Sequence, residues 1–168
     1  CARERCDITQ VQGSFAGAVG LPQFMPGSIN RYAVDFDDDG RIDLIRTDNA
    51  ADVIGSVAHY LAAFGWQRGM PTHYRVAAPV AVVDRATLLV PDIVPSFTAA
   101  QFAERGAELA PEGRGHDGLL ALVELQNGDA APTYVAGTRN FYAITRYNWS
   151  SYYAMAVIEL GAAVTRSV

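Results

Sequence analysis

Residues 35–46 read DFDDDGRIDLIR, and the rest of the chain is best read outward from them. Asp35, Asp37, Asp38, Asp39 and Asp43 fall within nine positions, with Arg41 and Arg46 as the nearby cations. Like charges at this spacing repel one another, and an ordinary solvated loop intersperses both signs. The 168-residue chain carries a net charge of −5, and much of that charge is concentrated here. Two readings follow: a solvated acidic turn, or a loop folded around a cation.

The spacing favours the cation. With Asp35 as position 1, Asp37 takes position 3, Asp39 position 5, Gly40 position 6, Arg41 position 7 and Asp43 position 9. Carboxylates at 1, 3 and 5, a glycine at 6 for the sharp turn and a backbone carbonyl at 7 make an EF-hand-type calcium loop. Ile42 then supplies the apolar anchor. A carboxylate cage suits calcium better than the smaller magnesium ion. The pattern breaks at position 12, where Arg46 stands in place of glutamate. Either the loop runs longer, with Asp48 or Asp52 closing the sphere, or it binds the ion weakly; Asp52 lies in the first turn of the helix predicted next. A single loop of this kind points to a structural ion rather than a sensor.

Before the acidic loop runs the glycine-rich GSFAGAVGLPQFMPGS (13–28), where close backbone approach and positive φ are available. Such a segment makes a turn-rich surface or the floor of a groove, anchored by Phe15, Val19, Leu21, Phe24 and Met25. After it, NAADVIGSVAHYLAAF (49–64) has Val53, Val57, Tyr60, Leu61 and Phe64 at helical steps. Asp48 or Asn49 is the predicted N-cap and Gly65 the stop. Residues 1–12 read as helical, then irregular. In 71–95 the prolines and the runs VAVV and LLV predict short strands, and SFTAAQFAERG (96–106) predicts a capped helix. LLALVEL and TYVAG, separated by Gly128, read as a strand pair, and SSYYAMAVIELGAAVTR as a final helix. The expected organisation is a core segment with the calcium loop over 1–70, a small β-rich subdomain over 71–135, and a return to the core over 136–168. The fold class is α+β, mainly α.

Half of the residues are hydrophobic and 10% aromatic, so a packed core is expected and disorder is not. The acidic balance argues against nucleic acid as a partner. No run reaches the ~20 apolar residues of a membrane span, and the opening CARERCDITQ holds no apolar signal-peptide core. Cys1 and Cys6 leave three readings open: a small disulfide loop, a lipid-attachment site at Cys1, or a cut end. His59, His73 and His116 are too scattered to suggest a zinc site. Trp66 and Trp149 read as core or rim aromatics, although a tryptophan face also stacks on a sugar.

Five stretches taken together resemble the membrane-bound lytic murein transglycosylase B family: SFAGA, GLPQFMP, RYAVDFDDDG, DVIGSVAHYL, and late in the chain NFYAITRYN followed by YYAMAV. The resemblance implies a lysozyme-like fold with an EF-hand-type calcium loop. It also implies a periplasmic enzyme, anchored at the outer membrane in its full-length form, whose partner is the glycan strand of peptidoglycan. Such enzymes cleave the β-1,4 bond between N-acetylmuramic acid and N-acetylglucosamine and leave 1,6-anhydromuramic ends. By position, Ser14, Gln23, Tyr60, Tyr147, Asn148 and Tyr153 match saccharide-binding residues. Asp35, Asp37, Asp39, the carbonyl of Arg41, and Asp52 match ligands of the structural calcium.

The resemblance departs at the catalytic acid. The family uses one glutamate in an ETxxG-like motif N-terminal to the SFAGA segment, and no such motif occurs in this chain. The glutamates present are Glu4, Glu104, Glu108, Glu112, Glu124 and Glu159. Glu4 lies between two arginines, which favour its charged form, whereas cleavage needs a carboxylic acid still protonated near neutral pH. No catalytic residue is therefore assigned. The expectation is a C-terminal portion of a transglycosylase that supplies glycan contacts and is inactive alone. The alternative is a non-catalytic, calcium-stabilised peptidoglycan-binding module.

Overall fold

The computed structural model describes residues 13–167, and these fall into two compact units, one ending at Phe64 and the other starting at Gly65. The reading of residues 1–12, with Cys1, Glu4 and Cys6, lies outside the described residues.

The first unit starts with tight turns. Val19 and Phe24 exchange backbone hydrogen bonds of 2.9 and 3.1 Å across the GLPQ turn. Helix α1 (Pro26–Tyr32) follows, with Pro26 in the first turn, where a missing N–H costs nothing. The acidic stretch comes next, then α2 (Ala51–Ala63), whose first amide, that of Ala51, donates to the Asn49 side chain at 3.1 Å. The helix stops before Gly65, which takes φ +89° as a C-terminal glycine does. The buried face of α2 is not the valine stripe that the periodicity suggests. Asp52, Gly55, Ser56 and Tyr60 are the buried residues, and Val53 and Val57 are half-buried. Small and polar residues go inside because that face binds backbone: Ser56 Oγ accepts from Val34 N at 3.0 Å, and Gly55 leaves room for the Phe36 ring.

The second unit is built on a four-stranded antiparallel sheet. Its strands are β1 (His73–Ala77), β2 (Glu108–Leu109), β3 (Ala121–Asn127) and β4 (Ala130–Gly137), in the order β2-β1-β4-β3. Tyr74, Ala136 and Leu122 are paired across three strands and so share one face. That face joins Leu88, Phe102, Leu109 and Leu120 in a buried core. Gly128, at φ +62°, opens the two-residue β3–β4 connection, where a type II′ turn requires glycine. The capped helix expected over 96–106 is helix α4 (Ala99–Glu104), where Thr98 and Gln101 exchange side chain-to-backbone hydrogen bonds in a capping box.

Two further expectations are overturned: Phe15, Leu21 and Met25 are exposed rather than anchored in a core, and the strands expected within 71–95 are largely absent. Beyond β1, the VAVV and LLV runs are not strands; they belong to helix α3 (Val82–Leu89) and its flanks. Their β-branched content suggested strand, but an eight-residue helix here drives Leu88 to 0% exposure in the core. Packing overrides propensity at this site. Two further helices end the chain, α5 (Arg139–Thr145) and α6 (Ser151–Ser167), packed against β4 and β3 respectively. From α5, the buried Asn140 ties down the segment before β1. Its Oδ1 accepts from Gln67 N at 2.7 Å, and its Nδ2 donates to the Gln67 and Met70 carbonyls, each at 2.8 Å. No described helix is long and apolar enough to cross a membrane.

Candidate functional site

Asp35, Asp37 and Asp39 bring one carboxylate oxygen each to within 4.8 Å of the others. Among the described residues this is the only group of three or more such side chains close enough to share a metal ion. The turn that gathers them depends on two left-handed residues, Asp38 at φ +64° and Gly40 at φ +84°. Amides fold back onto the carboxylates: Gly40 N donates to Asp35 Oδ2 at 2.9 Å and Arg41 N to Asp39 Oδ1 at 2.9 Å. Asn49 Nδ2 donates to Asp37 Oδ2 at 2.5 Å.

Arg46 does not neutralise the trio. It pairs with Asp48 and lies 3.8 Å from Asp43. The hydrogen bond from Arg46 is also the main reason that the Asp48 carboxyl titrates below the usual carboxylate range. Of the two residues expected to close the loop, neither Asp48 nor Asp52 is among the carboxylates brought together with Asp35, Asp37 and Asp39. Asp52 is 4% exposed, and its two oxygens accept from Phe36 N and Asp43 N, each at 2.7 Å. It thus clasps both ends of the acidic loop to the first turn of α2. Two like charges about 4 Å apart repel by ~1 kcal/mol in water and ~4 kcal/mol near a protein surface. The trio offers hard, charged oxygens alone, and this donor chemistry suits a hard divalent cation.

The acidic loop is joined to the GLPQF turn. Leu21 N donates to the Leu44 carbonyl at 2.7 Å, and a Cβ on Gly20 would stand 2.3 Å from that oxygen. Only glycine fits there, at φ +72°. Three positions later Gln23 sits exposed at φ +52°, a conformation rarely taken by a residue with a side chain, and its Nε2 donates to Gly20 O at 2.8 Å. Ser14, also exposed, accepts from Ala18 N at 3.1 Å through its Oγ. Tyr60 is different: it is 7% exposed, with ring centroids 4.9 Å from Tyr32, 4.7 Å from Phe64 and 5.6 Å from Phe24. Its ring belongs to an aromatic cluster under this surface.

In the second unit, Tyr147 in the α5–α6 connection and Tyr153 on α6 lie nearly parallel, at 15° and 6.5 Å between centroids. Asn148 between them is exposed. Ser150, rather than Asn148, caps α6, accepting from Tyr153 N at 3.2 Å. The sequence reading missed Arg146 altogether. Its guanidinium carbon lies 3.8 Å from the Trp149 ring centroid and 5.5 Å from that of Tyr142. A cation between two aromatics four and three residues away was detectable as R-x-x-W after a tyrosine, but that spacing is common.

Comparison with known proteins places this geometry. A family model described as the transglycosylase SLT domain matches residues 1–162. Membrane-bound lytic murein transglycosylase B of Escherichia coli K12 is 42% identical over 164 residues, covering 96% of this chain and 42% of that protein. The soluble lytic transglycosylase SltB1 of Pseudomonas aeruginosa superposes with a TM-score of 0.81 at 35% identity, over 99% of this chain and 53% of that one. The E. coli lytic transglycosylase Slt35, solved in complex with calcium, gives 0.73 at 38% identity, over 93% and 46%. SltB3 of P. aeruginosa, solved in complex with NAG-anhNAM-pentapeptide, gives 0.75 at 33% identity, over 93% and 40%. The chain spans about half, or less, of the length of these relatives. Its α+β fold with a small antiparallel sheet is the lysozyme-like fold of lytic transglycosylases, and the chain belongs to the transglycosylase SLT domain family of lytic murein transglycosylases.

Proposed function

We propose that this chain supplies glycan contacts for a peptidoglycan lytic transglycosylase that acts at the murein layer of the periplasm, outer-membrane anchored in its full-length form. The bond cleaved is the β-1,4 link between N-acetylmuramic acid and N-acetylglucosamine, and the product carries a 1,6-anhydromuramic end. The observation that carries the reading is the 42% identity to a lytic murein transglycosylase over 96% of the chain. The solved SltB3 complex with NAG-anhNAM-pentapeptide supports the product chemistry by likeness. Ser14 and Gln23 on the first unit and Tyr147, Asn148 and Tyr153 on the second offer hydroxyl, amide and aromatic groups suited to sugars. Tyr60 acts from beneath, holding the aromatic cluster on which α1 and α2 rest.

Asp35, Asp37, Asp39, the carbonyl of Arg41, and Asp52 are the residues that would hold calcium. The ion would offset the mutual repulsion of the acidic turn and so fix the Leu44 carbonyl against which the GLPQF turn closes. Holding the sugar is separable from cleaving it, since hydroxyls, amides and aromatic faces orient a substrate but donate no strongly acidic proton.

The test is digestion of purified peptidoglycan with this chain, with mass spectrometry for anhydromuropeptides beside a direct glycan-binding measurement. Binding without product assigns the chain the substrate-holding part of the reaction. Product that disappears on changing one of the six glutamates identifies that residue as the acid. Neither binding nor product overturns the proposal.

A further inference from the structure

The α5–α6 connection carries an arrangement that the glycan contacts above do not use. Trp149 is 70% exposed, an unusual position for the largest apolar side chain. Yet it is not loose. The Arg146 guanidinium lies flat enough on the indole to bring its carbon within 3.8 Å of the ring centroid. Arg146 in turn lies 5.5 Å from the Tyr142 ring, and Arg139 approaches Tyr142 at the same distance. The backbone is equally constrained, because Arg146 ends α5 and Ser150 caps α6, leaving a three-residue link. A large aromatic surface is thus fixed in orientation and left open to solvent.

The chemistry beside it narrows the ligand. Asn148, the preceding residue, is exposed with its amide, and Tyr147 of the same link stacks with Tyr153. A cationic partner is disfavoured by Arg146 beneath the ring, and a purely apolar partner makes no use of the amide. A pyranose has both faces that are needed: axial C–H groups that pack on an aromatic ring, and an acetamido and hydroxyl edge for an amide. We infer that Trp149 is a stacking platform for a β-1,4-linked N-acetylhexosamine residue, and that Arg146 is a positioning residue holding the indole in place. The inference deepens the proposed glycan-binding function and rests on it.

Trp66 and Trp149 are the two tryptophans of the chain, so a Trp66→Phe background leaves Trp149 as the single indole reporter. Tetra-N-acetylchitotetraose is titrated into this protein, with emission and calorimetry read in parallel. The expected result is a saturable change in Trp149 emission with the calorimetric Kd, and a loss of affinity of about tenfold in Trp149→Ala. Arg146→Lys keeps the charge but removes the flat face. It is expected to raise acrylamide quenching of Trp149 and weaken binding several-fold. Calorimetric binding with silent emission, and Trp149→Ala within twofold of the parent, overturns the platform while leaving the glycan reading intact. An Arg146→Lys protein with unchanged quenching and affinity overturns the positioning role. No binding of the tetrasaccharide by the parent overturns the platform and the glycan reading together.

Discussion

At the scale of the residue, Gln23 shows a local cost retained at a surface position. A non-glycine residue in the left-handed region costs roughly 1–2 kcal/mol, and such outliers cluster at functional sites. Gln23 bears that cost in the open, at φ +52°. Its one resolved side-chain hydrogen bond returns to Gly20 three residues earlier. If the amide is kept for saccharide, Gln23→Gly should leave thermal stability unchanged or raise it by about 1 kcal/mol while weakening chitotetraose binding. A Gln23→Gly protein that loses stability and binds as before would make the residue a turn-former only. Gly20 behaves in the opposite way. There the Leu44 carbonyl, 2.3 Å from where a Cβ would stand, forbids any side chain, so Gly20→Ala should destabilise the first unit.

At the scale of the element, the acidic loop and α2 act together through Asp52. A buried carboxylate accepting two backbone amides is worth about 3–6 kcal/mol, as hydrogen bonds to a charged group run at ~1.5–3 kcal/mol each. Asp52→Ala should therefore lower Tm both with calcium and after chelation. Asp35→Ala and Asp39→Ala should instead abolish the calcium response: EDTA lowers the parent's Tm, added calcium restores it, and these variants ignore both. A parent melting curve indifferent to chelation would remove the metal from the proposal and leave Asp52 as a clasp alone. The loop was legible in the sequence because charge crowding at alternate positions, closed by a glycine, has few explanations. The β3–β4 hairpin and a capped helix within 96–106 were legible for similar reasons of local chemistry. Helix α3 was not, since its valines carry strand propensity and only the burial of Leu88 makes it a helix. Nor was the inward face of α2, where Asp52, Gly55 and Ser56 are buried for their fit to backbone, a property that hydrophobic periodicity does not register. Ser14 and Gln23 were found through likeness to a family rather than from their spacing, and Arg146 was not found at all.

At the scale of the whole molecule, the two compact units should answer to different solution variables. The carboxylates proposed to hold calcium, the GLPQF turn and the Tyr60 cluster all belong to the unit ending at Phe64, so loss of hydrogen-exchange protection on chelation should concentrate in residues 20–56. The second unit answers to pH through its histidines. His73 on β1 sits half-buried with its ring 6.4 Å from Phe141, and burial pushes its pKa below the ordinary 6.5, with Glu159 opposing weakly. His116, 3.2 Å from the Tyr74 hydroxyl through Nδ1, is lowered for the same reason against the opposing charge of Asp117. For a base whose folded pKa lies below its unfolded one, the unfolded chain binds more protons in the window between the two values. Stability is then complete above about pH 6.5 and falls as pH drops through that window toward the folded pKa. Acidification from pH 7.5 to 5 should accordingly loosen the sheet of the second unit, read as lower protection factors of β1 and β4 amides once the intrinsic pH dependence of exchange is divided out. His73→Gln, which cannot charge, should flatten that response relative to the parent. If the variant follows the parent's pH curve, His73 is not a source of the acid sensitivity, and His116 or the carboxylates of the chain carry it instead.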